Sequence, residues 1–164
     1  MVKIVTDSLS DIPVKLAEKL GISVVPLNVH FGNETYRDGI DLTTEEFYQK
    51  LETSSVFPKT SAPGAGLFVE LFNRLAQETD EILAIITSSK ISAIYQSALQ
   101  GKAMVEGKCR IEIIDSLQVL AGQMFLVLEA AEAALAGISL DKIASLVKQT
   151  MPRIHIRAAF DTLE

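Results

Sequence analysis

The stretch ILAIITSSKISAIYQSA, residues 82–98, decides the fold because an apolar run gives way at once to hydroxyl side chains and then to a helical pattern. Residues 82–86 are all apolar, which predicts a strand buried in a parallel sheet. Thr87, Ser88 and Ser89 end that run, and the pattern after them predicts a helix. A buried strand that leads into a helix is the repeating unit of an α/β fold.

Two other parts of the chain have the same organisation. KIVTDS at residues 3–8 and IEIIDS at residues 111–116 are apolar runs that also end in polar side chains. A third run, ISVVPLNVHF at residues 22–31, predicts a strand that bends or lies at a sheet edge, because Pro26 cannot donate to a strand ladder. Helical patterns separate these runs, so we predict an α/β domain over residues 1–160, with a mainly parallel sheet flanked by helices.

Turn and capping signals predict further segments. GNETYRDG at residues 32–39 predicts a turn with a short hairpin arm, and Thr43 with Glu46 has the spacing of a capping box at a helix start. Residues 53–66 are polar and contain proline and glycine, which predicts a loop. RIHIRAAF at residues 153–160 alternates between polar and apolar side chains, which predicts a half-exposed strand.

The last four residues, DTLE at 161–164, have the spacing of a helix start. An acidic cap is followed by a glutamate three positions later. The helix that this pattern announces is not contained in the sequence. We therefore expect residues 161–164 to begin a second domain of a longer protein.

The composition excludes several classes of function. Of 164 residues 48% are hydrophobic, enough for a core, and 15 basic residues against 21 acidic ones give a net charge of −6. Nonspecific binding to nucleic acid needs a basic face, and we find no basic cluster, so nucleic acid is not an expected partner. The single cysteine, Cys109, excludes an internal disulfide framework and a multi-cysteine zinc site, and we expect it to fill apolar space.

The sequence also predicts a cytoplasmic protein without stable membrane insertion. Residues 1–8 turn polar too early for a secretory signal. A membrane span needs ~20 residues almost free of strongly polar groups. The most apolar segment, residues 117–137, fails this requirement, so we expect a buried helix there. Its polar side chains are Gln118, Gln123, Glu129 and Glu132.

Polar side chains recur where the three predicted parallel strands end. The candidates are Asp7, Ser8, Ser88 and Ser116. The carboxyl ends of parallel strands meet at one edge, where ligands of open α/β sheets bind, and the helix starts beyond that edge favour an anion. Ordinary helix capping explains each of these side chains as well. The residues thus leave an anion site and plain capping as alternatives.

Signatures of catalysis and of metal binding are weak. There is no Gly-x-Ser-x-Gly nucleophile elbow, no complete phosphate loop and no complete dinucleotide fingerprint. His30 and His155 fit no metal pattern, and we expect both to be structural. Asp7 and Asp115 are candidates for a general base or a metal ligand, but aspartates at strand ends more often orient loops. We expect no metal and no cofactor.

Four segments of the sequence form a recognisable set of motifs. They are TDSLSDIP (6–13), FPKTSAPGAG (57–66), TSSKISAIYQSA (87–98) and IIDSLQVLAGQ (113–123). Taken together and in this order, they resemble the motifs of the DegV family. The resemblance covers nearly the whole chain and implies a DegV-like N-terminal α/β domain. Members of the family are longer and continue into a second α/β domain, which agrees with the expectation for residues 161–164.

The resemblance implies a fatty-acid-binding protein rather than an enzyme. In related members the acyl chain lies in a tunnel between two domains, and hydroxyl groups hold its carboxylate. By position these are Thr60 and Ser92, with Ser61 and Ser89 close by. Some members deliver the acid to a separate ATP-dependent kinase, which makes an acyl phosphate for phospholipid synthesis. The implied protein is a carrier of a long-chain fatty acid, with no cofactor and with a fatty-acid kinase as partner.

The sequence departs from the family pattern close to these hydroxyls. Ala93 and Ile94 stand where the family has Gly and Thr, and Ala62 and Gly64 stand where it has Gln and Ser. Ala93 adds a methyl group near the ligand, and both loops lose polar groups. Two alternatives to the carrier remain, namely a phosphoryl- or acyl-transfer enzyme that uses the same crevice and a regulatory module that senses a lipid.

Overall fold

The computed structural model describes residues 1–159 and contains an ordered series of strands and helices. The strands are β1 (Lys3–Asp7), β2 (Ile22–Val25), β3 (Asn28–Phe31), β4 (Glu34–Arg37), β5 (Lys59–Ser61), β6 (Glu81–Ile86) and β7 (Arg110–Asp115). The helices are α1 (Val14–Leu20), α2 (Thr44–Thr53), α3 (Ala65–Leu75), α4 (Ile94–Met104), α5 (Ala121–Leu135) and α6 (Leu140–Thr150). Within the described residues, no helix has the length and apolar character needed to cross a membrane.

Four strands form one parallel sheet in the order β2-β1-β6-β7, which confirms the predicted α/β fold. β6 lies inside this sheet, and residues 82–86 have no solvent exposure. Leu83 and Ile85 of β6 pack with α5 and α6. Ile82 and Ile86 pack on the other face with α3 and α4. Burial of each such side chain stabilises the fold by roughly 1.5–3 kcal/mol, so this strand holds both helical layers in place.

A second, antiparallel sheet begins where β2 ends. Pro26 separates β2 from β3, and β2 is an edge strand of the main sheet, as the position of this proline predicts. β3 pairs with β4 through the predicted hairpin and with β5 on its other side. One face of this small sheet packs against α2 around Phe31 and Phe47. The predicted capping box that starts α2 is also present, since Thr43 and Glu46 exchange hydrogen bonds at 3.3 and 2.8 Å.

One strand was not visible in the sequence pattern. The loop predicted over residues 53–66 contains β5, which has only three residues. Its side chains, Lys59, Thr60 and Ser61, are all exposed, so they carry no apolar periodicity. The strand exists because β3 supplies a partner for its backbone, a contact that sequence spacing does not reveal.

The strand predicted over residues 153–160 is wrong in the part that the structure describes. A 3₁₀ turn ends at Arg153, and residues 154–159 are irregular. Ile156 packs against Gly122 of α5, where an added Cβ would lie 2.6 Å from Ile156 Cδ1. The Ile156 side chain therefore packs against helix α5 and is not part of a strand. Residues 161–164, which were predicted to begin a second domain, lie outside the described residues.

Candidate functional site

The ends of β1, β6 and β7 lie side by side, as predicted for parallel strands with polar ends. The Thr6 hydroxyl donates to the carbonyl oxygen of Ile85 at 2.9 Å. The backbone N–H of Ser116 donates to the carbonyl oxygen of Ile86 at 2.9 Å. These cross-strand bonds bring the candidate residues of three separate segments to one sheet edge.

Asp7 is fully buried at this edge, and both of its carboxylate oxygens have protein donors within hydrogen-bonding distance. Oδ1 accepts from the Leu9 N–H at 3.1 Å and from the Thr87 hydroxyl at 2.7 Å. Oδ2 accepts from the Thr87 N–H at 2.8 Å and from Gln123 Nε2 at 3.0 Å. Burial raises the pKa of the Asp7 carboxyl, although the Thr87 and Gln123 donors act in the opposite direction. Four protein donors on one carboxylate favour a role in orienting the loops over direct contact with a ligand.

The other strand-end hydroxyls also make local bonds. Ser8 Oγ accepts from the Leu27 N–H at 3.1 Å, and Ser88 Oγ accepts from the N–H two residues later at 3.3 Å. Ser116 Oγ accepts from the Gln118 N–H at 3.1 Å and donates to the Gln118 carbonyl at 3.2 Å. Ser8 and Ser88 thus keep a hydroxyl proton for another acceptor, whereas Ser116 has used its own.

Ser89 and Asp115 join the loop after β6 to the end of β7. The Ser89 hydroxyl donates to Asp115 Oδ2 at 2.5 Å, and the Ser89 N–H donates to Oδ1 at 3.1 Å. The proton of this hydroxyl is therefore directed at the aspartate. For Ser89 to donate to a ligand carboxylate, it would have to leave Asp115.

Ser92 is half-buried just before α4. Its Oγ accepts from the Ile94 N–H at 3.3 Å, and its N–H donates to the Ser88 carbonyl at 3.1 Å. Among the described residues, no acceptor lies within hydrogen-bonding distance of the Ser92 hydroxyl proton. This proton is free for a ligand.

Thr60 and Ser61 lie on β5, and the strand register separates their side chains. Thr60 pairs with Val29, whereas Ser61 pairs with Asn28, so the two hydroxyls lie on opposite faces of the small sheet. Ser61 Oγ lies 2.8 Å from His30 Nε2 and 3.4 Å from Asn28 Nδ2. Thr60 is exposed and makes no side-chain hydrogen bond within residues 1–159. Because β5 is an edge strand, a ligand beside that edge can reach hydroxyls of both faces.

The loop after β5 and the start of α4 rest on the same apolar cluster. Ala62 directly follows Ser61, and Ile94 lies two residues after Ser92. Both side chains pack in the core between the main sheet and helices α3 and α4. The segments that carry Ser61 and Ser92 therefore pack against the same hydrophobic cluster.

A mostly apolar cleft of about 530 Å³ adjoins these polar loops. It is lined by Ile91, Leu117, Gln118, Val119, Ile154, His155, Ile156, Arg157 and Ala158. Ile91 directly precedes Ser92 and is 64% exposed, and Leu117 directly follows Ser116 and is 51% exposed. The hydroxyl-bearing loops thus continue along the chain into an open apolar surface.

Two leucines beside this cleft have unusual backbone conformations. Leu117 and Leu120 both have φ of 51°, and Leu120 has ψ of −136°. Positive φ at a residue with a side chain costs roughly 1–3 kcal/mol and is concentrated at functional sites. The turn between β7 and α5 is therefore strained next to the candidate site.

Sequence reasoning missed the cleft and part of the buried network. The cleft depends on residues 154–158 folding back to α5, for which the alternating pattern gave no signal. Gln123 did give a signal, because an amide in the most apolar helix must find polar partners when it is buried. His30, expected to be structural, contacts Ser61, and no spacing in the sequence indicates that contact.

Comparisons with known proteins identify the family of the chain. The family model described as "Uncharacterised protein, DegV family" matches residues 1–164. A DegV domain-containing protein of Caldanaerobacter subterraneus subsp. tengcongensis is 44% identical over 163 residues, which are 99% of this chain and 58% of that protein. The chain thus spans little more than half the length of this relative.

Solved structures give the same result. A stearic acid-binding protein from Eubacterium ventriosum superposes with a TM-score of 0.84 and 31% identity, over 90% of this chain and 52% of that one. DegV of Bacillus subtilis, described as a fatty acid binding protein, gives 0.85 and 32%, over 92% of this chain and 54% of that one. With a family match along its whole length and a curated relative at this identity, the chain belongs to the DegV family.

Proposed function

We propose that residues 1–160 form the fatty-acid-binding domain of a lipid carrier. The hydroxyls of Thr60 and Ser92 donate to the carboxylate of a long-chain fatty acid, and the neighbouring cleft receives part of its acyl chain. The observation that carries this proposal is that Ser92, whose hydroxyl proton has no acceptor among the described residues, directly follows Ile91, which lines the 530 Å³ cleft. Two structural neighbours described as fatty-acid-binding proteins support the same ligand.

The acyl chain and the carboxylate of the ligand contribute differently to binding. Burying ten methylenes is worth about 8 kcal/mol before the costs of binding, at ~0.8 kcal/mol each. A hydrogen bond to a charged group contributes ~1.5–3 kcal/mol. The tail therefore supplies most of the affinity, and the hydroxyls of Thr60 and Ser92 fix which end of the lipid lies at the strand ends.

The remaining polar residues support these two hydroxyls. Ser61 and Ser89 are secondary donors, and Ser89 reaches the ligand only when it releases Asp115. Asp7, Ser8, Ser88 and Ser116 are less direct, because their bonds hold the strand ends and helix starts in register. Their loss is expected to alter the site by displacing loops.

We further propose that the complete protein is not itself an enzyme and needs no cofactor. It presents the bound acid to a separate fatty-acid kinase in the cytoplasm, where an acyl phosphate is made for lipid synthesis. A carrier of this kind must expose the carboxylate to its partner. The exposed position of Thr60 on an edge strand is compatible with that requirement.

Native extraction tests the ligand directly. The complete protein is purified without detergent and extracted with solvent, and the released small molecules are identified by mass spectrometry. We expect a long-chain fatty acid in near-stoichiometric amount. A nucleotide, or the absence of any lipid, would contradict the carrier.

One contact favours an enzyme as the second candidate. The Ser89 hydroxyl donates to Asp115 at 2.5 Å, which is the geometry of a nucleophile beside a general base. Such an enzyme would transfer a phosphoryl or acyl group in the same crevice. It predicts turnover by the purified protein alone, whereas the carrier predicts turnover only when the kinase is added.

A further inference from the structure

One histidine connects all three strands of the small sheet. His30 lies on the central strand β3, and its Nδ1 is 2.9 Å from Thr35 Oγ1 on β4. Its Nε2 is 2.8 Å from Ser61 Oγ on β5. Thr35 lies directly opposite His30, whereas Ser61 is reached diagonally past Lys59. A single imidazole thus fixes a hydroxyl on each neighbouring strand.

β5 depends on such a side-chain contact more than a longer strand would. It has three residues and is exposed throughout, and among residues 1–159 it pairs with β3 alone. A short edge strand makes few ladder bonds, so cross-strand side-chain pairs contribute much of its register. The contact between His30 and Ser61 therefore fixes the part of the chain that also carries Thr60.

The chemistry of imidazole gives this contact a direction. A neutral ring has one nitrogen that donates and one that accepts. When hydrogen is on Nε2, Ser61 Oγ accepts from His30, and the Ser61 proton stays free. When hydrogen is on Nδ1, Ser61 must donate to the ring and has no proton for a ligand. Asn28 Nδ2, at 3.4 Å, can only donate to Ser61 and leaves this choice to His30.

We propose that His30 is a positioning residue of the fatty-acid site, and that it directs the Ser61 hydroxyl proton toward the bound carboxylate. This inference rests on the function proposed above, because a carboxylate offers only acceptors. The bound acid selects the ring form with hydrogen on Nε2, in which Thr35 donates to Nδ1. His30 thus acts on the ligand through Ser61 and does not touch it.

The first test is spectroscopic and uses the complete protein. The ring nitrogens of His30 are followed by ¹⁵N NMR before and after saturation with stearic acid, and His30→Gln identifies the signals. We expect the bound protein to carry hydrogen on Nε2. Hydrogen on Nδ1 in the bound protein would overturn the inference, since Ser61 would then donate to the ring.

The second test is a double-mutant cycle on stearic acid affinity. His30→Leu and Ser61→Ala should each weaken binding by about tenfold or more, the size of one hydrogen bond to a charged group, and together by no more than either alone. His30→Gln keeps a donor for Ser61 and should restore most of the affinity. Glu34→Gln, an exposed change on the same sheet without contact to Ser61, is the control and should bind normally.

The outcomes separate this inference from the proposed function. If the wild-type protein binds stearic acid and the two losses multiply, the function stands and the role of His30 is overturned. If His30→Leu binds stearic acid as tightly as the wild type, the role of His30 is likewise overturned and the proposed function stands. If the wild-type protein binds no fatty acid at all, both proposals are overturned.

Discussion

Thr60 and Ser92 are the residues at which the carrier proposal is most directly tested. Replacing both by alanine in the complete protein should weaken long-chain fatty acid binding by about 100-fold or more, since two charge-assisted hydrogen bonds of ~1.5–3 kcal/mol each are lost. The melting temperature should change little, because Thr60 is exposed and Ser92 is only half-buried. Calorimetric titration with stearic acid measures the effect.

The control for this pair is another hydroxyl outside the site. Ser55→Ala removes an exposed serine from the loop between α2 and β5 and should leave affinity unchanged. Undiminished lipid binding by the double variant would refute the assignment of both residues.

The contacts between Arg37 and Asp41 should make a small part of the folding stability depend on pH. The Arg37 side chain and N–H donate to its carboxylate at 2.7–2.9 Å and lower the pKa of Asp41 from 3.8 to about 2. A lowered pKa in the folded state means that this contribution to stability is present above pH 3.8 and is lost as the pH falls toward 2. An NMR titration should show the low midpoint in the wild type and a rise toward 3.8 in Arg37→Gln. Lys50→Gln, which breaks a different ion pair, should leave the midpoint unchanged.

At the scale of elements, the contact between α3 and α4 depends on a glycine. A Cβ at Gly101 would lie 2.5 Å from Phe68 Cβ and 3.0 Å from the Ala65 carbonyl oxygen. This crowding costs ~1–3 kcal/mol, and alanine gains ~1 kcal/mol as a helix former, so Gly101→Ala should lower the free energy of unfolding by up to ~2 kcal/mol. Gly66→Ala in α3 meets nothing within 4 Å and is the matched control. Urea unfolding that finds the two variants equally stable would contradict this close packing.

In the turn between β7 and α5, a substitution at Leu117 should affect folding stability and fatty-acid affinity in opposite directions. Leu117→Gly removes the penalty of positive φ, so we expect stability to be maintained or raised. It also removes an apolar wall of the cleft, so affinity for a long-chain fatty acid should fall several-fold. Asp11→Gly relieves positive φ outside the cleft and should leave affinity unchanged. A large loss of stability in Leu117→Gly would show that the leucine belongs to the core instead.

The elements also show which features a single sequence can predict. The buried runs of β1, β6 and β7 and the capped start of α2 follow from local pattern, because burial and capping act over a few neighbouring residues. β5 has no such pattern, since its polar side chains become a strand only beside β3. Ile156 alternates with its neighbours as a strand would, yet it packs against Gly122 because residues distant in sequence meet there.

The same distinction applies to the candidate site. Thr60 and Ser92 could be proposed from the resemblance to a family, and the convergence of the strand ends from the parallel sheet. The opposite faces of Thr60 and Ser61 follow from strand register, which needs the partner strand. The four donors to Asp7 belong to three segments that are distant in sequence, so the spacing of residues could not predict them.

For the whole molecule, ligand binding and folding stability should be coupled. A fatty acid that binds only the folded state should stabilise the complete protein by ~2.7 kcal/mol at a free concentration of one hundred times Kd. Thermal unfolding with increasing stearic acid measures this as a rising melting temperature. The Thr60→Ala/Ser92→Ala variant, compared at the same lipid concentration, should show a smaller rise. Equal shifts in both proteins would point to nonspecific association with the lipid.

The buried bonds around Asp7 have a consequence for how the protein is made. They join residue 7 to residue 87 and then to residue 123, and those partners are 80 and 116 positions away in the chain. Until α5 has been synthesised, the Asp7 carboxylate lacks the amide of Gln123 as a donor. The strand-end network around Asp7 can therefore be complete only after residue 123 has been synthesised, so this edge of the sheet takes its final form late in biosynthesis.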